Sequence, residues 1–224
     1  MPIRLLEPRD IAAAVDVLSS AFAGDPLLVW ACGARERAGM RASCRMTSTL
    51  WTNARSAYGY FEGERLIAVA LYQKPGKQVS TWRALRAGFW RVPLAAGPTA
   101  AARIIKAFGH AEGYKEALLN GAPHFYLDTL GVERSAAGRG IGTRLLAESL
   151  ADLRLGAPLP CFLFTHLAKN VALYRRLGFE LIGECPVPNS PVTFWGMRQK
   201  PSPETSASPS QELIPKPLER VDRV

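Results

Sequence analysis

Histidine and cysteine are scarce in this chain: three of the first and four of the second in 224 residues. Cys32, Cys44, Cys161 and Cys185 lie too far apart for a zinc pattern or a dense disulfide framework. They read as reduced, buried thiols, Cys161 standing before the apolar Phe162-Leu163-Phe164. No metal-ligand cluster and no Ser-His-Asp or Cys-His set is visible. No apolar run approaches the ~20 residues a bilayer span needs. The opening MPIRLLEPRD has no apolar h-region, so no secretory signal is expected and the location reads as cytoplasmic. Acid is missing from one long stretch: between Arg65 and Ala111 there is none, against eight basic residues, Arg65, Lys74, Lys77, Arg83, Arg86, Arg91, Arg103 and Lys106. Such a patch favours an anionic partner or is simply an arginine-rich solvated surface.

What is present suits a globular domain. Hydrophobic residues are 48% and charged residues 21%, with a net charge of +9. A first strand is expected at 3–6. Asp10 reads as the N-cap of a helix whose Ile11, Val15, Leu18 and Phe22 repeat at helical spacing, ending at Gly24-Asp25-Pro26. Residues 27–56 read as further helix and 57–73 as a hairpin turning at Glu62-Gly63-Glu64. Helices are expected at 79–91, 98–109 and 111–119. A strand at 124–132, a helix at 140–155, a strand at 161–165, a helix at 169–177 and strands at 179–185 and 192–197 follow. From Pro201 the chain turns proline- and serine-rich and reads as a flexible tail. The domain is therefore 1–200, with 78–122 as an inserted helical region and 201–224 as the tail.

The most informative segment is the strand ending at Leu130-Gly131-Val132, followed by Gly138-Arg139-Gly140-Ile141-Gly142-Thr143 and then a helix. Alternate glycines let a ligand approach the backbone. Successive amides at a helix N-terminus form a cradle for phosphate oxygens, to which Arg139 and Arg144 would add charge. A P-loop is excluded because no lysine follows the last glycine. A dinucleotide fingerprint is excluded by the G-x-G-x-G spacing and by Pro158-Leu159-Pro160 where an acid is needed about 20 residues on.

This loop resembles the acetyl-CoA-binding motif of the GNAT superfamily of N-acyltransferases, although Ala137 stands where that family has Gln or Arg. Asn170-Val171-Ala172-Leu173-Tyr174-Arg175-Arg176-Leu177-Gly178-Phe179 resembles its second motif. The resemblance implies a mixed α/β fold: a twisted, mostly antiparallel sheet of about seven strands flanked by helices, with one splayed parallel pair, 124–132 and 161–165. It implies acetyl-CoA as co-substrate, held by Leu130, Gly131, Val132, the loop from Gly138 to Thr143, and Asn170 at the head of the second helix. It implies Tyr174 as the acid that protonates the leaving thiolate. Within the superfamily the chain resembles the branch of the puromycin N-acetyltransferases, in the opening Asp10–Pro26, in His124-Phe125-Tyr126-Leu127 and in the end, Glu184–Pro188 followed by Pro191 and Met197-Arg198.

By alternation, His124, Tyr126, Asp128 and Leu130 share one face of the strand, a possible proton relay. The glutamate that relatives use as base on this strand is missing, so Asp128 or His124 stands in for it. His110 and His166 have no such setting. The expected partner is a small-molecule amine; nucleic acid is not expected, and the protein would be a monomer or homodimer. Two alternatives stand: a binder of acyl-CoA without turnover, and a surface binder of membrane or nucleic acid. For the second, Trp82, Leu85 and Phe89 lie on one helix face that is either interfacial or core-facing.

Overall fold

The computed structural model describes residues 2–76 and 79–201; the expected tail beyond Pro201, and Lys77, lie outside them. Strands β1 (Ile3–Leu5), β2 (Ala57–Glu62), β3 (Arg65–Gln73), β4 (Phe125–Val132), β5 (Cys161–Thr165), β6 (Glu180–Pro186) and β7 (Thr193–Gln199) form one sheet of order β1-β2-β3-β4-β5-β7-β6. Every neighbouring pair is antiparallel except β4–β5. This is the mixed α/β, mostly antiparallel architecture expected from the sequence.

Helices cover both faces, which is why β3 reads as a continuous apolar run, Leu66–Tyr72, instead of an alternating one. On one face, α1 (Ile11–Ala21), α2 (Pro26–Cys32), α3 (Glu36–Asn53), α4 (Thr81–Arg86), α5 (Arg91–Ala96) and α6 (Pro98–Leu119) surround a core that includes Leu18, Trp51, Val69 and Leu71. On the other, α7 (Ile141–Gly156) lays Ile141, Leu145, Leu146, Leu150 and Leu153 against Ala68, Ala70 and Leu127, joined by α8 (Ala168–Arg176). Ser149 on the same α7 stripe hydrogen-bonds the buried Tyr72 hydroxyl at 2.8 Å.

Several boundaries differ from expectation, for local reasons. Residues 27–56 are two helices because Gly33 adopts φ +52° between α2 and α3. The helix expected at 79–91 breaks at Gly88, φ +99°. Conversely, 98–109 and 111–119 are one helix: Gly109 and Gly113 sit inside α6, where proline begins it and Asn120 in the left-handed region ends it. Asp10 occupies the N-cap of α1 but does not cap it with its side chain. Its carboxylate instead accepts from Glu7 N and from Arg4, stabilising the 3-10 turn of Pro8–Asp10. All four cysteines are free; three are buried and Cys32 is half-buried. Trp82 and Leu85 are exposed, while Phe89 is half-buried against the core, so the three do not form one core stripe.

Candidate active site

The parallel pairing of β4 and β5 is short. Phe125, Tyr126 and Leu127 pair with Cys161, Phe162 and Leu163, and then the strands part. Beyond Leu127 the β5-facing edge of β4 is unpaired. At the parting, β4 bulges: Tyr72 of β3 pairs with Leu127 and Leu71 with Thr129, leaving Asp128 as the extra residue.

That bulge overturns the alternation expected along β4. Phe125 and Leu127 face the α7 side, yet so do Leu130 and Val132. Gly131 faces α1, where an added Cβ would meet Leu18 at 2.7 Å and Ala21 at 3.1 Å. One inserted residue changes the parity, so His124, Tyr126, Asp128 and Leu130 do not share a face. The bulge aims Asp128 into a cavity of about 520 Å³ that opens at the splay.

Asp128, Thr129 and Leu130 of β4 border this cavity, as do Thr165 of β5 and Asn170 and Tyr174 of α8. Its other walls are mostly apolar and come largely from the helices before β2 and between β3 and β4, among them Phe22, Met40, Phe89, Ile104 and Phe108. Among the described residues no lysine or arginine lines it, although the chain is strongly basic. His124 stands apart: it lies beside a smaller polar cavity with Lys115 and Glu112, its Nδ1 2.8 Å from the Ala122 carbonyl and its ring against Phe162. The relay through His124 is therefore not assembled.

Burial raises the Asp128 carboxyl above its ordinary range. A hydrogen bond from Thr129 Oγ1 at 2.8 Å, the nearby Trp51 indole and the charge of Lys115 oppose that rise. Burial also pushes the Tyr174 phenol upward, so its hydroxyl is held protonated. Asn170 lies in the first turn of α8, whose N-cap is Leu167, and its Nδ2 donates to Thr165 Oγ1 at 3.3 Å.

The glycine loop lies at the start of α7. Gly138 and Gly140 have φ of +81° and +74°, and a Cβ on either would meet no protein atom within 4 Å. Their need for glycine is conformational, and the space beside them is open. Gly142 differs: its Cβ would come within 3.1 Å of Val132. Among the described residues, nothing accepts a hydrogen bond from the amides of Gly138 to Thr143. These orphan donors at the head of a sixteen-residue helix suit an anion. Arg139 is engaged with Glu62 and Arg144 with Glu148, pairs that an incoming anion would compete with at the surface.

One pair at the cavity escaped the sequence reading. Asp25 caps α2, its Oδ1 accepting from Leu27 N at 3.0 Å and Leu28 N at 3.2 Å. Its other oxygen, Oδ2, is hydrogen-bonded to His166 Nε2, although the two residues are 141 positions apart. Both line the cavity. The only sequence signal was the capping position of Asp25 before Pro26.

Residues 99–181 match the family model described as the acetyltransferase (GNAT) domain. That segment, a little over a third of the chain, resembles a GNAT acetyltransferase domain. The match begins in α6 and takes in the glycine loop and Tyr174. Solved structures repeat the GNAT fold over most of the chain. One described as the histone acetyltransferase HPA2 and related acetyltransferase of Corynebacterium glutamicum is 24% identical, with a TM-score of 0.63, covering 89% of this chain and 96% of that one. The C-terminal condensation domain of Ebony, solved with β-alanyl-dopamine, is 10% identical with a TM-score of 0.68, covering 88% and 97%. The PaiA N-acetyltransferase of Thermoplasma acidophilum, solved with coenzyme A, is 14% identical with a TM-score of 0.54 and covers 88% and 97%.

Proposed function

We propose that this protein is an acetyl-CoA-dependent N-acetyltransferase that acetylates the primary amine of a small, largely apolar molecule by direct transfer in a ternary complex. The observation that carries the reading is the cavity at the β4–β5 splay. It is walled by aromatic and aliphatic side chains, bordered by Asp128 and Tyr174, and free of lysine and arginine among the described residues. Such a cavity favours a cationic amine with an apolar body and disfavours an anionic acceptor.

The chain's groups fit the co-substrate. The orphan amides of residues 138–143 and the open space beside Gly138 and Gly140 suit a pyrophosphate. The unpaired edge of β4 at Leu130, Gly131 and Val132 suits an extended, amide-bearing arm. Bound acetyl-CoA supplies an activated acetyl thioester. Asp128 holds the acceptor ammonium by charge. Backbone amides of the β4 edge polarise the thioester carbonyl. Tyr174 donates its Oη proton to the departing sulfur. Asn170 keeps the head of α8 in place through Thr165.

Within the superfamily, the segments quoted from the two ends of the chain favour the branch of the puromycin N-acetyltransferases. Among the described residues no single helix is long and apolar enough to cross a membrane.

A thermal-shift titration with acetyl-CoA, CoA and NADH tests the cofactor class. Stabilisation that rises with acetyl-CoA and CoA, and not with NADH, supports it. A thiol-release screen of primary amines, apolar and polar, follows. Absence of any shift at saturating acetyl-CoA overturns the reading.

A further inference from the structure

We propose that His166, held by Asp25, is the base that takes the proton from the acceptor's ammonium group. The inference rests on the N-acetyltransferase reading above and deepens it.

An amine bound as its ammonium has no free electron pair and cannot attack a thioester. A base must therefore stand in the acceptor cavity. Two carboxylates border that cavity, Asp25 and Asp128. Asp25 is committed: one oxygen serves two backbone amides and the other serves His166. That leaves Asp128 to hold the ammonium by charge, and His166 as the imidazole lining the same cavity.

The surroundings of His166 suit proton transfer. Asp25 is buried, its side chain 5% exposed, whereas the His166 side chain is 22% exposed. An imidazolium formed there would be paired with a carboxylate behind it and would still have a way out to solvent. With Nε2 occupied by Asp25, the imidazole presents Nδ1, which has no hydrogen-bond partner among the described residues. The carboxylate thus fixes the tautomer that leaves an electron pair on Nδ1. The ring is held edge-to-face on Phe194 of β7, 5.6 Å between centroids. The other titratable groups of the cavity are Asp128 and Tyr126 from β4, Tyr174 from α8 and Cys44 from α3.

The protons balance. The ammonium gives one proton to His166 Nδ1. The freed nitrogen pair forms the bond to the acetyl carbon as the carbon–sulfur bond breaks. Tyr174 gives its Oη proton to the sulfur and takes back the second proton from the new amide nitrogen. His166 returns its proton to solvent. Asp25 is a positioning residue and never touches the acceptor.

The test compares wild type, His166→Gln and Asp25→Asn with acetyl-CoA and two acceptor probes. 2-Phenylethylamine is an ammonium at neutral pH. p-Anisidine, an arylamine, is already neutral there and needs no base. Gln keeps a donor for Asp25, so the fold should persist, which thermal denaturation and acetyl-CoA binding check independently of turnover. We expect His166→Gln to lower kcat/KM for 2-phenylethylamine by about 100-fold or more and to change it little for p-anisidine. The low-pH limb of the wild-type profile with 2-phenylethylamine should lose an ionisation in the variant. Asp25→Asn should shift that limb. Equal loss with both amines means a structural role and overturns the inference, as does unchanged activity with 2-phenylethylamine. Wild type inactive with both amines, and with the wider amine screen, overturns the N-acetyltransferase reading and this inference with it. Should His166→Gln fail to fold, the Asp25→Asn profile decides alone: an unmoved limb overturns the inference.

Discussion

Thr129 Oγ1 donates to Asp128 Oδ2 at 2.8 Å, a bond between chain neighbours that should alternate across a sheet. They meet because Asp128 is the extra residue of a bulge in β4. The bulge stores cost as well as position: it holds a carboxyl in a cavity that raises its pKa by burial.

Asp128→Asn should therefore make the protein more stable at neutral pH. The folded-state pKa lies above the unfolded value, so wild type is favoured below the ordinary aspartate range and loses that advantage as pH rises through the folded pKa. Asparagine escapes the loss. Thermal denaturation should show the variant ahead at pH 7 and the gap closing towards pH 3. The same change should raise KM for an ammonium acceptor, measured by thiol release, because it removes the charge that holds it.

Tyr174→Phe removes one hydroxyl from a side chain that is 8% exposed and packed on Phe179, 5.6 Å between centroids. Packing survives and the proton donor does not. Turnover should fall about 100-fold or more, with acetyl-CoA affinity nearly unchanged by calorimetry. Unaltered turnover would remove Tyr174 from the acid role.

Gly140→Ala places a Cβ at φ +74°, a conformation costing an L-residue about 1–2 kcal/mol. The protein itself offers no clash there, since nothing lies within 4 Å. Weaker acetyl-CoA binding by the folded variant would thus report a ligand in the open space. Gly142→Ala is the control: φ is ordinary and only Val132 must yield, at 3.1 Å. It should cost some stability and little affinity.

Arg4 and Asp10 tie β1 to the entry of α1 by two hydrogen bonds, of 2.7 and 3.0 Å. The bond from Arg4 holds the Asp10 carboxyl below its usual range, outweighing the opposing effect of burial, with the Glu7 amide assisting. That stability is present above the unfolded pKa and is lost as pH falls through the folded one. Asp10→Asn should lower stability by about 1 kcal/mol at pH 7, and chemical denaturation should find the gap shrinking in acid.

The chain order of strands and helices, the glycine loop and the two motif segments were legible in the sequence. Each depends on short-range physics: apolar spacing over one or two turns, glycine where φ must be positive, proline at a first turn. Boundaries failed where two local signals competed, as in α6, where packing carried the helix through Gly109 and Gly113. The candidate site was only half legible. Tyr174, Asn170, Leu130 and Asp128 could be named from the chain, and the structure gathers them at one cavity. His124 could be named too, but the fold leaves it beside another cavity.

What the sequence determined by itself was the class of local structure at each segment. What only the tertiary structure decided was parity and encounter. A single inserted residue in β4 moves Leu130 to the opposite face, and bulges depend on pairing with β3, which no local pattern encodes. Asp25 and His166 meet because the sheet order sets the end of β5 against the head of α2. Periodicity acts over a few residues, whereas a contact spanning 141 positions is fixed by which strands pair and in what register.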